Sequence, residues 1–286
     1  DSFTDIMDGI MGIAAIDLHA GLIWQRAIGS PGEVSFPGGP RLVEGPERRI
    51  YALASIQNPE AARPVRDVWV VALDRNGDLL WQRGVGGTED DDANSIVSDA
   101  DGLTFAGSAG EGDFDTSAVW LARMNHDGDL LWNRGWWSWA YDSATGLAVT
   151  DDGSYALVGS QAVEDSDGWH EVMWIASVDS DRIMQRILGL WRKPYLFSRT
   201  IEPMSGDLIV SGLWFSSWDD PEYLKEGMVA RVGADATFNR DCDLIDDVAF
   251  MERHVEVGTW TPEFSPRDVS MHVGEADVVL REVSFP

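Results

Sequence analysis

The chain has 286 residues, 44% of them apolar, which is enough to bury a full core, and all-β units of this size commonly form one domain rather than two. Asp and Glu outnumber Lys and Arg 49 to 21, a formal charge of −28 that excludes nucleic acid and anionic membrane surfaces as natural partners. The one cysteine, Cys242, excludes an intramolecular disulfide, and no run of about 18 apolar residues is present to cross a bilayer as a helix.

The only lysines are Lys193 and Lys225, so the acidity sits on an almost lysine-free surface. Salt or bound divalent cations are expected to stabilise such a chain by screening its self-repulsion. It opens on Asp1 rather than methionine, as is expected of either a processed mature chain or a trimmed one.

In chain order, the first predicted element is a hairpin over Gly12 to Arg26, which ends in Trp24-Gln25-Arg26. An aromatic residue or methionine followed by Gln or Asn and then Arg returns at Trp81-Gln82-Arg83, Trp132-Asn133-Arg134, Met184-Gln185-Arg186 and Phe238-Asn239-Arg240. The segment 67–84 (DVWVVALDRNGDLLWQRG) recurs almost whole as 118–135 (AVWLARMNHDGDLLWNRG). A second marker, Ala54-Ser55, Gly107-Ser108, Gly159-Ser160 and Gly212-Leu213, keeps the same register, each time closing an apolar run. Two independent markers with one period of about 50 residues define a repeat.

Within each unit, short β-branched and aromatic runs are separated by turns at Asn76-Gly77, Asp101-Gly102, Asp127-Gly128, Asp152-Gly153 and Ser205-Gly206. These are hairpin signals, two to a unit, and four strands in about 50 residues is the content of a propeller blade. The prediction is an all-β chain, a single β-propeller domain over 1–286 with about five four-stranded blades. Four of them cover about 41–83, 94–134, 143–186 and 197–240. The fifth pairs 12–26 with 245–283, so that N-terminal and C-terminal segments close the ring and remove its edges.

Asp67-Val68-Trp69-Val70, Asn76-Gly77-Asp78, Trp81-Gln82-Arg83, Gly86-Gly87 with an acid after three further residues, and Gly107-Ser108 together resemble the repeats of the bacterial secreted β-propeller proteins. The resemblance spans roughly 13–240 and fades in the fourth unit, where Met184 replaces tryptophan and the turn is Ser180-Asp181. It implies export to the cell exterior and a propeller fold, and it implies no single activity.

The repeated tryptophans and arginines read as packing between neighbouring sheets, since a residue recurring at one strand position in every unit serves the stacking of units. Asp74-Arg75-Asn76-Gly77-Asp78 reads as a hairpin turn rather than a calcium loop, because the chain passes directly into Leu79-Leu80-Trp81 without a twelfth-position glutamate.

The longer connections carry the functional expectation. Trp136, Trp137, Trp139, Tyr141, Trp191, Tyr195, Trp214 and Trp218 are expected to form an aromatic loop face for a ligand. Acids interleave with them, and Asp90, Asp91, Asp92, Asp165 and Asp167 are the candidates for calcium, the one cofactor entertained. Flat rings among hydrogen-bonding carboxylates suit sugar rings or a protein contact.

Catalytic signatures are missing: there is no G-x-S-x-G elbow, no H-E-x-x-H and no cofactor box, and the five histidines are scattered. Asp99, Asp142, Asp151 and Glu202 fall on or near the expected inner strands, where a hydrolase would place its carboxyl pair. The reading is an extracellular binding module for carbohydrate or a cell-surface polymer. A structural or assembly protein of an extracellular complex and a propeller glycoside hydrolase are the alternatives.

Overall fold

The computed structural model describes residues 11–17, 19, 21–29, 34–35, 41–58, 61–62, 64–110, 117–137, 142–165, 168–190, 195–215, 225–233, 245–247, 251–253 and 258–260. Among them the fold is all-β, and the only helical piece is a 3-10 turn at Pro46–Arg48. A hairpin comes first, β1 (Met11–Asp17) with β2 (Gly21–Ile28). Sheet one takes β3 (Val34–Ser35) and β4 (Arg41–Glu44) side by side on β5 (Ile50–Gln57), then β6 (Arg66–Leu73) and β7 (Leu79–Gly86). Sheet two runs β8 (Asp91–Ser98), β9 (Leu103–Gly110), β10 (Ser117–Met124), β11 (Leu130–Trp137). Sheet three repeats that order with β12 (Asp142–Val149), β13 (Tyr155–Asp165), β14 (Gly168–Val178) and β15 (Met184–Leu190), and sheet four starts it again with β16 (Tyr195–Met204), β17 (Asp207–Phe215) and β18 (Lys225–Gly233). Every pairing within these units is antiparallel, and one parallel bridge, Glu171 to Tyr195, links sheets three and four.

The core lies between sheets rather than within any one of them. Tyr51, Leu53, Val70, Phe105 and Trp120 fill the space between sheets one and two; Leu121, Trp136, Leu157 and Trp174 do so between two and three. Val158, Ile175, Ile201 and Val210 follow between three and four, and Trp24, Ile28 and Trp69 join the first hairpin to sheet one. The third-strand tryptophans Trp69, Trp120 and Trp174 are fully buried. Gly159 pairs with Trp174 across the sheet, and a Cβ there would sit 2.0 Å from the indole, so only glycine admits the ring.

The turn after each third strand is built by its own first residue. Asp74 Oδ1 accepts the N–H groups of Asn76 and Asp78 at 2.8 and 2.9 Å, and Asn125 Oδ1 accepts those of Asp127 and Asp129 at 3.0 and 2.8 Å. The left-handed position falls to Gly77 (φ +81°) and Gly128 (φ +88°), and in sheet three to Arg182 (φ +68°). The side chains of Asp74 and Asn125 are thus spent on their own turns.

Those turns are also where the repeated tryptophans land. Trp24 Nε1 donates to the carbonyl of Arg75, and Trp81 Nε1 to that of His126, both at 2.9 Å. Arg26 Nη2 adds a bond to the carbonyl of Asn76 at 3.3 Å. In sheet three Arg182 replaces the glycine and lays its guanidinium 5.0 Å from the Trp132 ring centroid. Each Trp-x-Arg strand therefore braces the turn of the next sheet, the packing role its recurrence predicts.

The tail departs from the expected fifth blade. β19 (Ile245–Asp247) pairs with β15, β20 (Met251–Arg253) with β11, and β21 (Gly258–Trp260) with β7. The described part of the tail thus caps the outer edges of sheets three, two and one in turn and does not pair with β1 or β2. Residues 248–250, 254–257 and 261–283 of the expected fifth-blade segment lie outside the described residues. Edge strands present a row of unpaired N–H and C=O groups, and three separate edges each attract a short partner strand.

Candidate functional site

The first strands of successive sheets lie against one another, β4 with β8, β8 with β12 and β12 with β16. Of these, β8, β12 and β16 are broken at the same level. Between Ala93 and Ser95, between Ala144 and Gly146, and between Ser198 and Thr200, the ladder with the second strand skips a residue. The extra residues are Asn94, Thr145 and Arg199. In sheet one the same level falls between Ser35, paired with Ser55, and Arg41, paired with Leu53. A β-bulge leaves one residue out of the ladder and re-aims its side chain, and such devices gather beside functional sites.

Here the bulged residues and their neighbours line two adjoining cavities, of about 330 and 350 Å³, which share Thr145 and Arg199. The first is completed by Arg41, Asn94, Thr200 and Glu202, the second by Ser143, Ser198 and Glu171. The volumes suit a ligand of one or two rings.

Hydrogen bonds fix the wall. Asn94 Nδ2 donates to Ser143 Oγ at 3.1 Å and to the carbonyl of Ala144 at 3.0 Å, tying β8 to β12. Arg41 Nε donates to the carbonyl of Asn94 at 2.5 Å, and the Leu147 N–H donates to Ser95 Oγ at 3.1 Å. Thr145 Oγ1 and Ser198 Oγ share a hydrogen bond of 2.6 Å, tying β12 to β16. The side chain of Arg199 is exposed to the cavity, and among the described residues neither Arg199 nor Arg41 has a carboxylate within ion-pair distance. Burial pushes the Glu171 carboxyl up to about 7, so that it holds a proton near neutrality.

The sequence-predicted residues fall elsewhere. Trp136 and Trp137 are not loop residues: β11 runs through both, and each is buried, 2% and 7% exposed, because the strand continues past Arg134 to cover the next interface. This corrects their assignment to an aromatic loop face. Tyr195 and Trp214 lie on β16 and β17, where Tyr195 pairs with Phe215 and Trp214 with Leu196 in the backbone register. Trp139, Tyr141, Trp191, Trp218 and Asp167 lie outside the described residues, and Asp165 ends β13.

The acids at 90–92 diverge, as consecutive residues at a strand start must. Asp90 accepts the Arg66 N–H at 2.7 Å, Asp92 accepts Ser55 Oγ at 2.6 Å, and Asp91 turns inward to accept the N–H groups of Gly87 at 2.6 Å and Gly110 at 3.1 Å. Among the described residues no group of three His, Cys, Asp or Glu side chains is arranged around a common metal position. Asp91 is the acid of the Gly-Gly repeat element, and the glycine has a reason: a Cβ on Gly86 would lie 2.3 Å from Asp67 Cγ and 2.8 Å from Asp91 Oδ2. Two buried carboxyls crowd that space, and burial first, then the charges of Asp67 and Asp92, raise Asp91 to about 8 against the pull of the two backbone N–H groups.

Of the four inner acids, Glu202 lines the first of these two cavities, and the other three line neither. Asp99 is bound by Arg123, at 2.7 and 2.8 Å; Asp142 is buried at the start of β12; and Asp151 is exposed in a turn. The cavity residues went unread because a bulge is a mismatch between two strands, and no composition signal marks Asn94, Thr145 or Arg199. The signal present in the sequence is the repeat register itself, since Ala93-Asn94, Ala144-Thr145 and Ser198-Arg199 recur at the repeat spacing with a different second residue each time.

Comparison with protein-family models gives no match to this chain, and no curated protein matches it significantly.

Proposed function

We propose that this chain is a secreted β-propeller binding module whose ligand, a saccharide or a cell-surface polymer unit, sits in the cavity where the first strands of the sheets meet. The observation that carries the reading is the level at which three first strands break together, turning Asn94, Thr145 and Arg199 toward one space beside Arg41. Amide, hydroxyl and guanidinium groups offer both donors and acceptors, which is what a polyhydroxylated ring needs when it leaves water. The propeller geometry and export to the cell exterior rest on the repeat and its resemblance to the bacterial secreted propeller repeats. No cofactor is required by this reading.

The test is a glycan-array screen of the full chain, followed by titration calorimetry on any hit with Asn94→Ala and Thr145→Ala. Binding that weakens at least tenfold in both variants supports the cavity; binding that survives both moves the site elsewhere on the molecule. A second reading, glycoside hydrolysis, is favoured by one feature, the placement of Glu171 in the wall of the second cavity, where burial pushes its carboxyl up to about 7, because a raised carboxyl is what a general acid needs. Release of reducing sugar from a bound glycan, lost in Glu171→Gln, would establish it.

A further inference from the structure

The walls of the first cavity say more about the ligand than its polarity does. Arginine is scarce in this chain relative to carboxylate, yet two of its guanidiniums come to one cavity from different sheets, Arg41 from β4 and Arg199 from the bulge of β16. Several of the other described arginines are occupied. Arg123 is clamped on Asp99, Arg231 on Asp207 and Arg66 on Asp90; Arg26 and Arg83 lie over their tryptophans. Arg199 has no such partner among the described residues, and Arg41 commits only its Nε, to the carbonyl of Asn94. Glu202 lines the same cavity but lies beyond ion-pair distance of both.

From this geometry we infer that the cavity takes a monoanionic saccharide, its acidic group held by Arg199 and Arg41. The inference rests on the saccharide reading above and narrows it. A guanidinium presents a planar fork that matches a carboxylate or a sulfate with two parallel N–H donors, which an ammonium cannot do. The surrounding charge strengthens the argument. On a molecule of formal charge −28, an anion is repelled everywhere except where cations are concentrated, and two unpaired guanidiniums in a recess make such a place. The neutral groups Asn94, Thr145 and Thr200 then bind the ring hydroxyls while the arginines select its charge. Bulge placement keeps the selection separable from the fold, because Arg199 contributes no rung to the β16–β17 ladder.

The test compares methyl glucuronide, a 6-sulfated methyl glucoside and neutral methyl glucoside by titration calorimetry on the full chain, with Arg199→Gln and Arg199→Lys as variants. The expected result is that at least one acidic sugar binds ten times or more tighter than the neutral one, with an affinity that falls as salt rises. The uronide and sulfate arms identify which acidic group is preferred. Arg199→Gln should abolish the preference while leaving weak neutral binding, and Arg199→Lys should restore only part of it. Neutral sugar binding as well as both acidic ones, or a preference that survives Arg199→Gln, would overturn the inference and leave the saccharide site standing. Failure of all three sugars to bind, with both variants folded, would overturn the saccharide site and the inference together.

Discussion

Replacing Asp91 by asparagine should make the protein progressively more stable than its parent as the pH rises from 5 to 8. In the folded protein this carboxyl keeps its proton up to about pH 8, while the unfolded chain releases it near the ordinary value of 3.8. Between those values the folded state binds the extra proton, so raising the pH pulls the equilibrium toward the unfolded chain by about 1.4 kcal/mol for each unit. The loss begins above about pH 4, is complete near pH 8, and amounts to about 6 kcal/mol in all. An amide carries no such penalty. It keeps one acceptor for the N–H of Gly87 or Gly110 and gives up the other, which costs about 1 kcal/mol at every pH. Its amino group gains the carboxylate of Asp67, which shares the space over Gly86. Asp91→Asn is therefore expected to lie within about 1 kcal/mol of the parent at pH 5 and to exceed it by about 4 kcal/mol at pH 8. Urea unfolding at fixed salt, followed by tryptophan fluorescence from pH 5 to 9, measures the difference. Other acids titrate in both proteins and cancel. A difference that stays constant from pH 5 to pH 8 would refute the account of a proton retained by the buried Asp91 carboxyl.

Gly128→Ala should lower stability by about 2 kcal/mol, since alanine must adopt φ +88° and its Cβ would meet the Trp81 ring at 3.0 Å. Gly153→Ala, at φ +82° with open space around the Cβ, should cost about 1 kcal/mol, and calorimetric melting of the pair separates the packing contribution from the backbone one. Asp99→Asn should cost about 2 kcal/mol at pH 7 by breaking the two-pronged bond to Arg123. Because those bonds hold the Asp99 carboxyl below its ordinary value, its stabilisation is present above about pH 4 and fades below it, so parent and variant should converge in acid unfolding curves. Deleting 245–286 should leave the outer edges of β7, β11 and β15 open and produce association that grows with protein concentration in light scattering; a deletion variant that keeps the parent's mass at every concentration would show that those edges are harmless.

The hairpins were readable because turn chemistry is local. Asn76-Gly77 and Asp127-Gly128 announce a left-handed residue, and the residue that opens each turn is close enough in sequence to identify. The structural duty of Trp24 and Trp81 was readable from recurrence, although the acceptor each indole finds, a turn carbonyl about 50 residues on, was not. Arg182 shows the limit of the turn rule: the position still needs a positive φ after glycine is lost, and stacking on Trp132 accompanies the substitution. Trp136 and Trp137 were placed on a loop for a related reason. Trp136 and Trp137 follow a repeat marker and so look like loop, but strand length is set by what the next sheet leaves to be covered. Asp90 to Asp92 look like a cluster in one dimension and point apart once they enter β8. The described tail strands departed from the fifth-blade expectation because they pair with edges more than 50 residues away, and a three-residue strand carries almost no periodicity of its own.

The bulges give this scaffold a property that regular ladders lack. Asn94, Thr145 and Arg199 occupy equivalent positions, and their three different side chains coexist with the same pairing on either side. A mutation at such a position exchanges one ligand contact without rewriting a rung of the sheet, so recognition can drift from one chemistry to another while folding is left alone. Paralogues built on this repeat could then diverge in what they bind through as few as three or four codons, and the burden of robustness would fall on the buried tryptophans, whose replacement the fold does not forgive.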